Sequence, residues 1–129
     1  MTKKIKLIFF HPYSNLGGAD RSLIRLINGL NTNQYEIVFI SLNKHKNRKY
    51  FTKKIKFYVL KSKRTLFSIS ELKKIIYLEN INFHKTIFIS NQNFANVISC
   101  IALKHFNNIR LVLIERNHPD ELKNNKNFL

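Results

Sequence analysis

The chain has 129 residues, enough for one domain and too few for two of ordinary size. Hydrophobic residues make up 44% and charged residues 23%, a balance that excludes wholesale disorder and collagen-like repetition. The charge is one-sided, with 23 Lys and Arg against 7 Asp and Glu and a formal net charge of +16. Such a surface attracts anionic lipid, nucleic acid or phosphate-bearing ligands. Lys, Asn and Ile occur 17 times each, a bias that A/T-rich coding produces by itself, so the charge alone selects no partner. Cys100 is the single cysteine. It excludes an internal disulfide and a thiolate metal cluster, and points to a cytoplasmic setting. The first apolar stretch, Leu7 to Phe10, is too short for a signal-peptide core or a membrane span. Membrane contact is therefore expected to be peripheral, at the inner face.

In chain order, Ile5 to Phe10 is a β-rich apolar run that suits a buried strand. A turn-rich segment from His11 to Gly18 follows. Ala19, Leu23, Leu26, Ile27 and Leu30 then lie on one helical face, with Asp20 in the first turn favoured by the helix dipole. Tyr35 to Ser41 is a second strand, so the first forty residues form a βαβ unit with a right-handed crossover. Residues 43–54 read as a polar loop and Ile55 to Leu60 as a third strand. Ser68 or Ser70 can cap a helix reaching about Leu78, with Leu72, Ile75, Ile76 and Glu79 on its face. Thr86 to Ile89 is a fourth strand, Phe94 to His105 carries a third helical face, and Ile109 to Ile114 is a fifth strand. The alternation predicts an α/β fold: a Rossmann-like open parallel sheet of about five strands with three helices. In such sheets ligands bind beyond the carboxyl ends of the strands, where strand order reverses.

The segments leaving those ends supply the candidates. Gly17 and Gly18, followed by Ala19, permit a close backbone approach, and the helix N–H groups behind them favour an anion. The pattern is neither G-x-G-x-x-G nor a P-loop, which disfavours a dinucleotide enzyme and a P-loop ATPase. Asn91, Gln92 and Asn96 offer uncharged donors and acceptors suited to sugar hydroxyls, although helix capping accounts for part of that segment. Glu115, Arg116, Asn117 and His118 form the densest polar cluster, able to bind phosphate or move a proton. Residues 43–64 hold ten basic residues and no acid, among them Lys44, Lys46, Arg48, Lys49, Lys53 and Lys54. Their readings are an anionic-lipid patch, a nucleic-acid surface or a plain solvated face. The histidines lack metal-ligand spacing, so His11 is read as structural or exposed, and no metal site is expected.

The stretch from Ile5 to Leu42, with Gly17-Gly18-Ala19-Asp20-Arg21 and Asn28-Gly29-Leu30 in place, resembles the start of family 4 glycosyltransferases of the GT-B fold. Asp20 stands where that family usually has Glu. Phe88 to Asn96 is similar to the family's strand-to-loop segment, and Leu113 to Pro119 to its Ser-Glu-(His/Arg)-Asn-x-Pro turn. The resemblance runs to about Leu122. It implies an N-terminal, acceptor-side Rossmann-like domain over residues 1–129, truncated before the donor-binding domain and its paired glutamates. Hexosyl transfer from a nucleotide-sugar to an envelope, lipid-linked or polysaccharide acceptor is implied for the complete enzyme, without metal or further cofactor. By position, Gly17 to Ala19 lie near the donor phosphates, and Asn91 to Asn96 with Glu115 to His118 line the acceptor side. The partner implied is a donor domain, either missing or separately encoded, with an anionic membrane surface for the basic segment. Transfer by this chain alone is not expected. The alternative is a non-catalytic binding module for anionic lipid or polysaccharide, with nucleic acid ranked far behind.

Overall fold

A computed structural model of the chain describes residues 3–13, 18–42, 48–80 and 85–115. Five strands form one all-parallel sheet: β1 (Ile5–Phe10), β2 (Tyr35–Ser41), β3 (Ile55–Val59), β4 (Thr86–Ser90) and β5 (Ile109–Leu113). Their order across the sheet is β3-β2-β1-β4-β5. Three helices connect them: α1 (Gly18–Asn28), α2 (Ile69–Asn80) and α3 (Asn93–Ala102). The architecture is α/β and Rossmann-like, as the alternation predicts.

The apolar runs become strands because a parallel sheet buries both faces. Ile8, Phe10, Val38, Ile40 and Phe88 point to one face, under Leu72, Ile75 and Ile76 of α2 and Ala95, Ile98 and Ala102 of α3. Leu7, Phe9, Ile37, Phe39 and Ile89 point to the other, under Leu23 and Ile27 of α1. The edge strands β3 and β5 are only partly covered and carry the exposed charges Lys56 and Arg110, as edges commonly do. The Phe88 ring is fully buried and packs 6.2 Å from that of Phe10. Phe88→Ala should cost about 3–5 kcal/mol in urea unfolding; a loss below about 1 kcal/mol would mean that this face repacks.

Several boundaries differ from the sequence expectation, and β3, β4 and β5 each end within one residue of it. α2 runs on to Asn80, and α3 stops at Ala102, where the Leu103 N–H still reaches the Ser99 carbonyl at 2.9 Å. Two 3-10 turns, Arg48–Tyr50 and Thr65–Ser68, occupy segments read as loop or helix start. Ser68 does not cap α2; its hydroxyl donates to the Thr65 carbonyl at 2.5 Å.

The strand order places a reversal between β1 and β4. From β1 the chain moves outward to β2 and β3, then crosses back to β4 on the other side and continues to β5. Phe10 of β1 sits beside Ser90 of β4 at that point. A crevice between the carboxyl ends of two such strands is the expected ligand position in an open α/β sheet.

Candidate functional site at the sheet reversal

His11 leaves β1 directly, and its N–H donates to the Ile40 carbonyl at 3.0 Å. This continues the sheet pattern and turns the imidazole inward, where it is 1% exposed. The Asn91 side-chain amide donates to His11 Nδ1 at 3.3 Å. His11 Nε2 contacts the buried carboxylate of Asp20 in the first turn of α1. With Nδ1 accepting, Nε2 carries the proton and donates to Asp20; the tautomer follows from the partners. One imidazole thus ties the end of β1, the start of α1 and the end of β4 together. The Phe39 ring stands edge-on to it at 6.3 Å.

A second lock lies beside the first. Gln92 donates through Nε2 to the Tyr13 carbonyl at 2.9 Å and accepts the Tyr13 N–H at 3.2 Å. One helical turn further, Asn96 donates to the Ile114 carbonyl at 3.1 Å. Its Oδ1 is buried, with no hydrogen-bond partner among the described residues, and the same holds for Ser90 Oγ. Gly18 opens α1, and a Cβ added there would meet nothing within 4 Å among the described residues.

The structure places Gly18 and Ala19 at the start of α1 and Asn91 and Gln92 just past β4, beside the β1–β4 reversal, with Asn96 inside α3 and bonded past β5 at Ile114. Glu115 is exposed just past β5. Gly17, Arg116, Asn117 and His118 lie outside the described residues, as do Lys44 and Lys46. Asn91 is the hydrogen-bond donor to His11 rather than an exposed contact, and helix capping does not account for Gln92, which makes no side-chain cap bond to α3. Arg48 and Lys49 lie on the first 3-10 turn, and Lys53 and Lys54 precede β3. That segment is tied to the end of α1: Asn28 donates to the Tyr50 carbonyl at 3.0 Å and accepts the Thr52 N–H at 2.9 Å. The last turn of α1 leads toward the start of β2, so Lys53 and Lys54 sit at the amino ends of the strands, away from the reversal.

His11, Asp20 and Tyr13 are the residues that sequence reasoning missed. The only signal for the first two is a histidine directly behind an apolar strand and a carboxylate in the next helix. Among the described residues, no group of three or more His, Cys, Asp or Glu could hold a metal ion. An apolar depression of ≈ 480 Å³ lined by Lys73, Lys74, Tyr77, Leu78 and Phe106 lies along α2. It lacks the convergent polar groups of a specific small-molecule site, so the reversal is the better candidate. No protein-family model matches the chain, and no curated protein matches it. Among the described residues, no helix is long and apolar enough to cross a membrane.

Proposed function

We propose that this chain is the acceptor-side domain of a glycosyltransferase that moves a sugar from a nucleotide-sugar to an envelope, lipid-linked or polysaccharide acceptor. A second, donor-binding domain completes the site, and this chain alone is not catalytic. One observation supports the reading best: α1 opens at Gly18, and its first turn is tied through Asp20 and His11 to Asn91 at the β1–β4 reversal, with the uncharged amide of Gln92 following it in the chain. Helix N–H groups stabilise a diphosphate leaving group, and amides bind hydroxyls without competing for charge. The order of the sequence motifs supports the same reading. His11, Asp20 and Asn91 act as positioning residues, holding the loop after β1 rigid against α1.

The test uses the chain by itself. Uridine diphosphate, UDP-hexoses and oligosaccharides are titrated into the isotopically labelled protein, and amide shifts are followed. The expected response is confined to Gly18, Ala19, Gln92 and Asn96. Gly18→Val should remove the nucleotide response while leaving Tm within a few degrees, because a Cβ there meets nothing within 4 Å among the described residues. An unchanged response in that variant, or none in the parent, would sink the assignment. A second reading, a non-catalytic module for anionic lipid or polysaccharide, draws on the acid-free basic run from Arg48 to Arg64. It predicts salt-sensitive binding of polyanions with no shift at Gly18.

A further inference from the structure

The turn between β3 and α2 has its polarity reversed. Thr65 and Ser68 are 5% and 0% exposed, whereas Leu66 and Phe67 between them are 52% and 67% exposed. The arrangement is built rather than frayed. The Ser62 hydroxyl donates to the Phe67 carbonyl at 3.0 Å, the Phe67 N–H to the Arg64 carbonyl at 3.1 Å, and the Ser68 hydroxyl to the Thr65 carbonyl at 2.5 Å. Upstream, both carboxylate oxygens of Glu71 accept the Lys61 N–H, at 2.9 and 3.1 Å. The first acid after the basic run is thus engaged in holding the backbone of this turn. Lys61, Lys63 and Arg64 are all exposed beside the two apolar side chains.

We infer that this turn is a membrane-docking tip that inserts Leu66 and Phe67 into an anionic bilayer while Lys61, Lys63 and Arg64 engage lipid phosphates. Two half-exposed side chains fall far short of the ~800 Å² per partner of a stable protein interface. A small apolar wedge flanked by cations is instead sufficient for an interfacial lipid contact, where both contributions add. The tip follows the carboxyl end of β3, so it lies at the same end of the sheet as the reversal, two strand spacings or about 10 Å across. Its turn also packs against α3, the helix that carries Asn96. Docking would therefore present the reversal toward the bilayer surface. The basic residues Lys53 and Lys54, at the opposite end of the strands, are not part of this contact. The surface stands apart from the sugar-transfer reading, because lipid binding needs no donor or acceptor.

The chain has no tryptophan, so Phe67→Trp installs a single tryptophan, excited selectively over the tyrosines, at an exposed position. Its emission should move to shorter wavelength on adding vesicles of phosphatidylcholine mixed with phosphatidylglycerol, and stay unchanged with phosphatidylcholine alone. In co-sedimentation with the mixed vesicles, the double variant Leu66→Ser/Phe67→Ser and the triple variant Lys61→Gln/Lys63→Gln/Arg64→Gln should each lower partitioning by about tenfold or more. No emission shift on mixed vesicles, an equal shift on neutral vesicles, or full partitioning of the serine variant would overturn the proposal. So would binding to heparin or RNA that equals vesicle binding and ignores Leu66 and Phe67. The vesicles contain no nucleotide and no glycosyl acceptor, so failure here leaves the sugar-transfer reading to stand or fall on the nucleotide titration at Gly18.

Discussion

Glu79→Ala should destabilise the protein by about 3–5 kcal/mol in urea unfolding, among the largest single losses available outside the aromatic core. Glu79 lies at the end of α2, 4% exposed, facing the sheet. Its carboxylate receives Lys6 Nζ at 2.6 Å, Lys56 Nζ at 2.7 Å and the Tyr58 hydroxyl. Lys6 is itself 3% exposed in the central strand, and its other acid, Glu36, stands 3.5 Å away. Removing Glu79 takes the closer of these carboxylates from a buried ammonium, and Glu36 is half-exposed and 3.5 Å away. The penalty arises from weakening the compensation of that buried charge rather than from the worth of the pair. Lys6→Met with Glu79→Leu should therefore recover most of the loss. A single-variant loss under about 1 kcal/mol would show that Lys6 escapes to solvent.

The same cluster sets an acid limb. Burial pushes the Glu79 carboxyl up, but hydrogen bonds from Lys56, Lys6 and Tyr58 outweigh it and draw the pKa down from 4.5 to about 2. A carboxyl held lower in the folded state stabilises fully above pH 4.5, and that stabilisation is lost as pH falls toward 2. Lys56 is pushed upward, chiefly by its hydrogen bond to Glu79, and burial raises the Tyr58 hydroxyl. Urea midpoints measured between pH 5 and pH 2 should fall in the parent and stay flatter in the Lys6→Met/Glu79→Leu variant.

Asp20→Ala should cost about 2–3 kcal/mol and abolish any nucleotide response at Gly18, because it strips the acceptor from the His11 Nε2 proton. The imidazole would then keep its Asn91 bond but lose its tie to α1. Asp20→Asn retains a carbonyl acceptor and should lose less than half as much. The direct reporter is the His11 Nε2 proton, expected in slow solvent exchange in proton NMR of the parent and absent from Asp20→Ala. An alanine variant within about 0.5 kcal/mol of the parent, with its Gly18 response intact, would show that the histidine bridge positions nothing.

Much of this architecture is visible in the residues alone. The apolar runs of β1, β2 and β4 announce strands because both faces of the sheet are covered there, and the i, i+4 pair Leu23 and Ile27 marks α1. The carboxyl ends of those strands then point to the reversal, where the His11 bridge and the Gln92–Tyr13 pair lie. What stays hidden depends on distant partners. The 3-10 turn at Arg48–Tyr50 forms where Phe51 packs 5.5 Å from Phe39 and 5.7 Å from Phe57, contacts that no local pattern encodes. Asp20 reads locally as a helix-dipole residue, yet its larger role is to accept the proton of His11. Glu79 falls on the apolar face of its helix, and only tertiary placement reveals the lysine, from a strand 73 positions away, that makes its burial tolerable. The exposed Leu66 and Phe67 are equally silent in sequence, since their neighbours Thr65 and Ser68 turn inward instead.

The central position of β1 has a consequence for biosynthesis. β1 is enclosed on both sides yet leaves the ribosome before either neighbour, and the second of them, paired as Lys6 with Thr86, emerges about eighty residues later. At roughly 5–20 residues per second the wait is roughly 4–16 s. Throughout it, the Leu7-Ile8-Phe9-Phe10 run keeps one edge bare on the nascent chain. Such a segment is a natural client for a ribosome-associated chaperone, and slowing translation between β2 and β4 should raise the fraction of chains that aggregate rather than fold.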